Sequence, residues 1–547
     1  MKKRHLLILS GFMILVGFYS CTKLDTKDYG TIVSTTFVPG PADVAALIGS
    51  PYTNWRNLEL GRSANSIWRT NEISADETVI PERPNGWVDG GIYQRVHYHK
   101  WTTSEDNCFQ VWTNAYAGIT ACNRVLYQIN AGLIPVPAAT SAQTVAELKV
   151  LRASFYYALC DFFGAVPIVT QFDLPAGFLP TQSTRAQVYA FIISELTTNI
   201  PLLSKSNDAT TYGRFNYWAG ETLLAKMYLE AGVYSGTPDW ADCITACNTV
   251  INSGLFNLEA NQSNVFAVAN SGSKEIVFSI PFDNLYTADG NTAFTMHMET
   301  LQPENQNTYN FQNSPWGGIC AIPQFINTFD SQDSRLSQNW VQGQQLTSAG
   351  LPLIGTLGKF TGQPLIYINS LPGVDSSEEV HGYRLGKFQI VAGELVGMSN
   401  DFPLFRYADV LMMKAEASLR NGDATTAATL VTQVRQRDFT ANPAKATVTA
   451  TQLQTGLTAY DYGLRNHLQT THETVTDIQY GRMLDELGWE FAQEGRRRQD
   501  LIRFGVFSTK SWLSHPSDVS TGFANTKALL YIPLSAIQTN SNLTQNP

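Results

Sequence analysis

Apolar residues recur every three to four positions over several long stretches of this chain, and each stretch predicts an α-helix with one buried face. Val111, Ala115, Ile119, Cys122 and Leu126 mark a helix over residues 109–129. Leu148, Leu151, Phe155, Leu159 and Phe162 mark a second over 145–163, stopped by Gly164 and Pro167. A helix over 184–203 opens at a Ser183 or Thr184 cap. Pairs are then predicted over 213–232 with 239–253, and over 405–421 with 424–437, the latter turning at Gly422. Short turns make such neighbours antiparallel, although no clean 34-residue repeat emerges. Between Ser271 and Asp401 the helical period fades. EIVFSIPF, Glu275–Phe282, reads as a strand, and loops rich in Gly, Asn and Gln follow.

One stretch breaks the pattern of apolar helix faces. In ELGWEFAQEGRRRQDLIRFG, Glu486–Gly505, Leu487, Phe491, Leu501 and Ile502 share a stripe with Glu494 and Arg498. Glu490, Glu494 and Arg498 are spaced four apart, which on one continuous helix makes Glu494–Arg498 an ion pair. Either that face is solvated, or the helix docks on others with its arginines held by carboxylates. Gly495, poor in a helix interior, points to a close neighbouring backbone.

Composition changes the picture in three ways. At 547 residues with 44% hydrophobic and 15% charged side chains, the chain folds around a large core and is not disordered. A net charge of −9, from 37 Lys and Arg against 46 Asp and Glu, argues against a nucleic-acid surface. The 11 Trp and 23 Tyr suit a protein that stacks on a ligand, though much of this belongs to the core. The opening MKKRHLLILSGFMILVGFYSC has a basic start and an apolar run, Leu6–Phe18, too short to span a bilayer, so residues 1–20 read as an export signal. Cys21 sits where a lipoprotein signal peptidase would cleave, and is the expected lipidation site even though Phe18, Tyr19 and Ser20 depart from the usual lipobox. The other six cysteines show no zinc-site spacing and read as small buried apolar residues.

Residues Ile80–Asp106 are the most unusual segment. Pro81, Pro84, Asn85 and Gly86 force a loop, with Trp87 expected at its exposed tip. His97 and His99 alternate, so a strand would place both on one face, but no third ligand lies near in sequence and no metal or cofactor is expected. A glycosidase would need two carboxylates flanking a bond, and G-x-S-x-G, H-E-x-x-H and P-loop motifs are all missing. No catalytic residue is assigned.

Several segments resemble the SusD/RagB family of outer-membrane nutrient-binding lipoproteins. These are the glutamate-rich helix entering EGRRRQDLIRFG, the ending YIPLSAIQTNSNLTQNP, the segment ELKVLRASFYYALCDFFGAVPIV, the stretch GRFNYWAGETLLAKMYLEAG, and a loop similar to a family subgroup with Gly/Asn-Trp-x-Asp-Gly-Gly. The resemblance implies a mainly α SusD-like fold. Divergent tetratricopeptide-like helix pairs form a scaffold over about residues 41–260 and 402–505, with an irregular ligand-contact lobe over about 270–400 and a tail over 506–547, all in one domain from residue 21. It also implies a surface-exposed, outer-membrane lipoprotein that is no enzyme, and that captures glycan for a SusC-like TonB-dependent transporter. Glycan binding needs flat rings for sugar faces and polar groups for hydroxyls. Trp87 and Trp316 are the first expected contacts, then Tyr286 and Tyr309, with Asn85, Asp89, Arg83 and Asn313 as polar partners. Core or loop packing is the plain alternative for each. A peptide-nutrient ligand, or a pure helical lid or assembly role, would use the same fold.

Overall fold

A computed structural model describes residues 39–61, 66–84, 86–287, 292–465, 471–522 and 526–546. Cys21 and Asn85 lie outside the described residues, as does the signal segment. Residues Ala46–Pro547 cluster as one compact unit.

The first described helices of this unit are α1 (Thr53–Leu60), α2 (Ile67–Ile73) and α3 (Ile92–His97). The scaffold follows as α4 (Asp106–Asn130), α5 (Ala138–Phe162), α6 (Arg185–Asn199), α7 (Tyr217–Leu229) and α8 (Trp240–Ile251). Local chemistry sets several of their starts. Thr184 and Gln187 form a reciprocal capping box at α6, and the side chains of Asn216 and Asp239 accept backbone N–H groups at the starts of α7 and α8. After a long excursion the helices resume as α9 (Tyr407–Arg420) and α10 (Ala424–Arg435), the second capped by Asp423.

Each of α4 to α8 packs on the next, and α8 packs directly on α9, which packs on α10. The stack is therefore continuous in space although the chain leaves it for about 150 residues in between. Two antiparallel strands close the neck of that excursion, β2 (Ile276–Ile280) and β4 (Phe402–Arg406), registered from Phe402 opposite Ile280 to Arg406 opposite Ile276. A second short pair, β1 (Thr78–Val79) with β3 (Cys320–Ala321), fastens the excursion to the N-terminal part of the chain. All six described cysteines are free and buried. Among the described residues no helix is long and apolar enough to cross a membrane.

The continuous helix expected over Glu486–Gly505 is two helices, α11 (Gly481–Phe491) and α12 (Arg497–Arg503). The turn between them holds Gln493 at φ 69° and Gly495 at φ 71°. A Cβ on Gly495 would stand 2.9 Å from Trp68 Cδ1 and 3.1 Å from Trp68 Cα, so the neighbouring backbone inferred from this glycine exists, but at a turn and not inside a helix. The kink also cancels the expected Glu494–Arg498 pair. Arg498 reaches Asp161 at 2.8 Å on α5, and Glu494 takes Arg406 at 2.7 Å together with Lys387.

The solvated-face alternative fails too. Glu490 and Arg406 are both fully buried. Glu490 accepts from Arg406 at 2.7 Å, from Arg335 at 3.0 Å and from Arg437, while Arg406 and Arg437 also share Glu275. Burial alone would raise the Glu490 carboxyl; the guanidinium groups of Arg437, Arg406 and Arg335 outweigh it and hold it well below the usual range. Arg335 and Lys387 belong to the excursion, Arg406 and Glu275 to its neck, and Glu490 to α11. The charges thus rivet the irregular lobe to the helical scaffold.

Candidate ligand-binding site

Three segments converge where the excursion meets α2 and α3. Burial of the α2 face carries Arg69 inward, where it grips Glu299 through Nη2 at 2.6 Å and Nε at 3.2 Å. Above that ion pair its guanidinium lies 5.2 Å from the Trp87 ring centroid, a cation–π distance. Trp87 packs edge-on to Tyr93 of α3 at 4.8 Å and to Trp316 at 5.5 Å with an interplanar angle of 64°. Its indole N–H donates to Asp89 Oδ2 at 2.6 Å, and the Tyr93 hydroxyl donates to the same oxygen at 2.6 Å. Burial, with Asp89 alongside, pushes the Tyr93 hydroxyl far above its ordinary range, so it stays a donor.

The floor beneath Trp87 is backbone. A Cβ on Gly318 would sit 2.6 Å from Trp87 Cε3 and 2.9 Å from the Glu299 carbonyl oxygen, so only glycine lets the indole lie this close. The segment bearing Gly318, just before β3, is registered by hydrogen bonds from the N–H groups of Trp316, Gly317 and Gly318 to the carbonyls of Met298, Leu301 and Glu299. Trp316 is thereby carried to the edge of Trp87, and both rings remain half-buried. Trp87 is therefore not at a free loop tip: its loop is pinned and its ring leans on the core.

The other expected contacts separate into different roles. Arg83 is 5% exposed and donates to the carbonyls of Gly317, Gly318, His381 and Glu378 and to Cys320 Sγ, so it clamps the site from inside and does not face a ligand. Burial lowers its pKa to about 10, still well above neutral. Asp89 is exposed, but one carboxylate oxygen is already committed to holding Trp87 and Tyr93. Tyr309 stacks on Phe311 at 5.1 Å and 12°, and Asn313 is exposed on the loop leading to Trp316. Tyr286 is 88% exposed and makes no ring contact with either tryptophan among the described residues. Sequence reading missed Tyr93, Arg69, Glu299 and Gly318. Tyr93 alone left a signal, standing four residues after Asp89.

His97 and His99 do not alternate on a strand. His97 ends α3, and His99 adopts a left-handed conformation at φ 51°.

The structure is thus a helical scaffold that carries a pinned pair of half-buried tryptophans. The comparisons give its family. The model described as "SusD family" matches residues 274–547, and that described as "Starch-binding associating with outer membrane" matches 24–229. The chain belongs to the SusD family, whose members are carbohydrate-binding proteins rather than enzymes and are associated with the outer membrane. It is 24% identical to the starch-binding protein SusD of Bacteroides thetaiotaomicron, over 94% of this chain and 91% of that one. It is 22% identical to SusD-like protein P25 of Formosa agariphila, over 90% and 82%. Among solved structures, a laminarin-binding SusD-like protein superposes with a TM-score of 0.68 at 21% identity, covering 93% of this chain and all of the other. Surface glycan-binding protein A from Bacteroides thetaiotaomicron in complex with laminarihexaose gives 0.67 at 18% identity, covering 92% and 99%.

Proposed function

We propose that this chain is a lipid-anchored, cell-surface glycan-binding protein that captures an oligosaccharide on Trp87 and Trp316 and delivers it to a SusC-like TonB-dependent transporter. The observation that carries the binding role is the tryptophan pair itself. Two indoles meet at 64°; Trp87 is held by Gly318, Tyr93, Asp89 and Arg69, and Trp316 by its backbone bond to Met298 and its contact with Trp87. Rings held this firmly lose little entropy when a sugar stacks on them. Exposed Asn313, on the loop leading to Trp316, offers hydrogen bonds to sugar hydroxyls, and Tyr286 is a further exposed ring. Starch and laminarin, named for relatives, are the first polysaccharides to try.

Stacking one sugar face on an indole removes roughly 60–80 Å² of apolar surface from water, worth about 1.5–2 kcal/mol at about 25 cal/mol per Å². Trp87→Ala and Trp316→Ala should each weaken binding roughly 10- to 30-fold. Affinity electrophoresis in starch and laminarin gels, followed by calorimetry on a hit, reads this directly. Undiminished binding in both variants would remove the site assignment, and no binding to any glycan would favour a peptide ligand. Delivery is tested separately by co-purification with the transporter, and the anchor by mass spectrometry for acyl chains on Cys21.

A further inference from the structure

Beyond the end of α3 opposite to Trp87's loop, three buried side chains from distant parts of the chain meet: His99, His515 and Asp518. One ligand atom of each lies within 4.8 Å of the others. His99 Nε2 is 2.8 Å from the carbonyl oxygen of Ser74, which can only accept, so Nε2 carries the hydrogen. In a neutral ring Nδ1 is then a lone pair, and it faces Asp518 Oδ2 at 3.0 Å and Oδ1 at 3.2 Å. Lone pair and carboxylate repel unless a positive charge sits with them. A proton on His99 would supply that charge, but it would leave His515 as it stands: fully buried, with neither ring nitrogen hydrogen-bonded. His515 lies 4.2 Å from His99, ring centroid to ring centroid.

We propose that these residues form a structural site for a divalent transition metal, zinc first. A single cation would take the lone pairs of His99 Nδ1 and one His515 nitrogen and one Asp518 oxygen, with a trapped water as the fourth ligand. It would resolve both the His99–Asp518 clash and the stranded imidazole. The hydrogen bond from a ligating histidine's other nitrogen to a backbone carbonyl is the usual means of fixing such a ring. Ligands about 2.0–2.2 Å from zinc stand roughly 3.3–3.6 Å apart in a tetrahedron, within the 4.8 Å spread seen here. Two imidazoles with a carboxylate suit zinc better than calcium or magnesium, which prefer all-oxygen shells. Trp101, Phe507 and Trp512 wall the cluster from solvent, as befits a closed structural site. The ion would tie the turn around residues 512–518 to the end of α3. This reading does not depend on what the tryptophan pair binds.

The test starts with the full chain purified without chelators and assayed for metals by plasma mass spectrometry. The protein is then stripped with dipicolinate and titrated with Zn²⁺, or with Co²⁺ as a spectroscopic probe. About one zinc per chain is expected, with tetrahedral nitrogen–oxygen d–d bands on Co²⁺ addition and an unfolding temperature that falls on stripping and recovers with Zn²⁺. His515→Ala and Asp518→Ala should each cut zinc affinity at least 100-fold. If either variant fails to fold, the Co²⁺ spectrum of the unmodified chain decides. Stripped protein that takes up less than a tenth of an equivalent, lacks those bands, or binds zinc as well in both variants overturns the site.

Discussion

Glu490→Gln is the sharpest probe of the charge node that joins lobe to scaffold. The carboxylate accepts from three arginines: Arg406 at 2.7 Å, Arg335 at 3.0 Å, and Arg437. Glutamine keeps one acceptor oxygen but turns an NH₂ group toward a guanidinium, and removes the negative charge among three cations. Charge-assisted hydrogen bonds contribute about 1.5–3 kcal/mol each, and breaking a buried pair from one side costs about 3–5 kcal/mol. The variant should lose about 3–5 kcal/mol at pH 7, read by urea unfolding with unchanged slope. The pH dependence gives an independent check. The folded carboxyl is depressed, while an unfolded glutamate titrates at about 4.3. Below that pH the unfolded chain takes a proton that the folded chain refuses, so this contribution is present above about pH 5 and is lost on acidification. The gap between wild type and variant should therefore be flat from pH 7 to about 5 and narrow toward pH 3.5. A loss under about 1 kcal/mol at pH 7, or the same gap at both ends, would show that the node does not hold the lobe as described.

Gly318→Ala should disturb the site without touching ligand. Its methyl would lie 2.6 Å from Trp87, so a destabilisation of about 1–3 kcal/mol and a weakened glycan affinity are expected together; normal affinity would mean the indole has room to shift. Arg83→Met should strand the Gly318 carbonyl, at about 1–3 kcal/mol if it is left dry, and take one of two donors from those of His381, Gly317 and Glu378, which keep Arg384, Gln302 and the His381 N–H, with binding weakened through a loosened loop. Unchanged thermal unfolding would rule out the clamp. Because Trp87 and Trp316 touch, the Trp87→Ala/Trp316→Ala double variant should lose less stability than the two single losses added, with a coupling of about 0.5–1.5 kcal/mol in urea unfolding. Strict additivity would contradict the edge-to-face contact.

The scaffold helices were legible because their apolar spacing, and caps such as Thr184, Asp239 and Asp423, are local signals. The strand at Ile276–Ile280 was legible for the same reason. The break in the Glu486–Gly505 helix was not. Its stripe continues in phase across the turn, and the partners that bend the chain, Trp68 and Glu72, lie more than 420 residues away. Arg83 misled in a similar way, since a polar loop composition says nothing about carbonyls brought in from residues 317–381. Trp87 and Trp316 were named singly from their loops; that they touch is set by the β1–β3 pairing, which sequence spacing does not encode. His99 was read as a pair with His97 lacking a third ligand, because its two companions in space arrive from positions 515 and 518.

The charge node also orders the assembly of the molecule. Helix pairs such as α4–α5 and α9–α10 join neighbours in sequence and can form early. Glu275, Arg335, Lys387, Arg406, Arg437 and Glu490 come from six separate stretches, and each alone is a charge that water solvates better than a dry interior does. A partly gathered set is worse than none, so the node closes late and in a single cooperative step. A folding chain would pass from open helices to a sealed molecule with no stable halfway form for a protease to find.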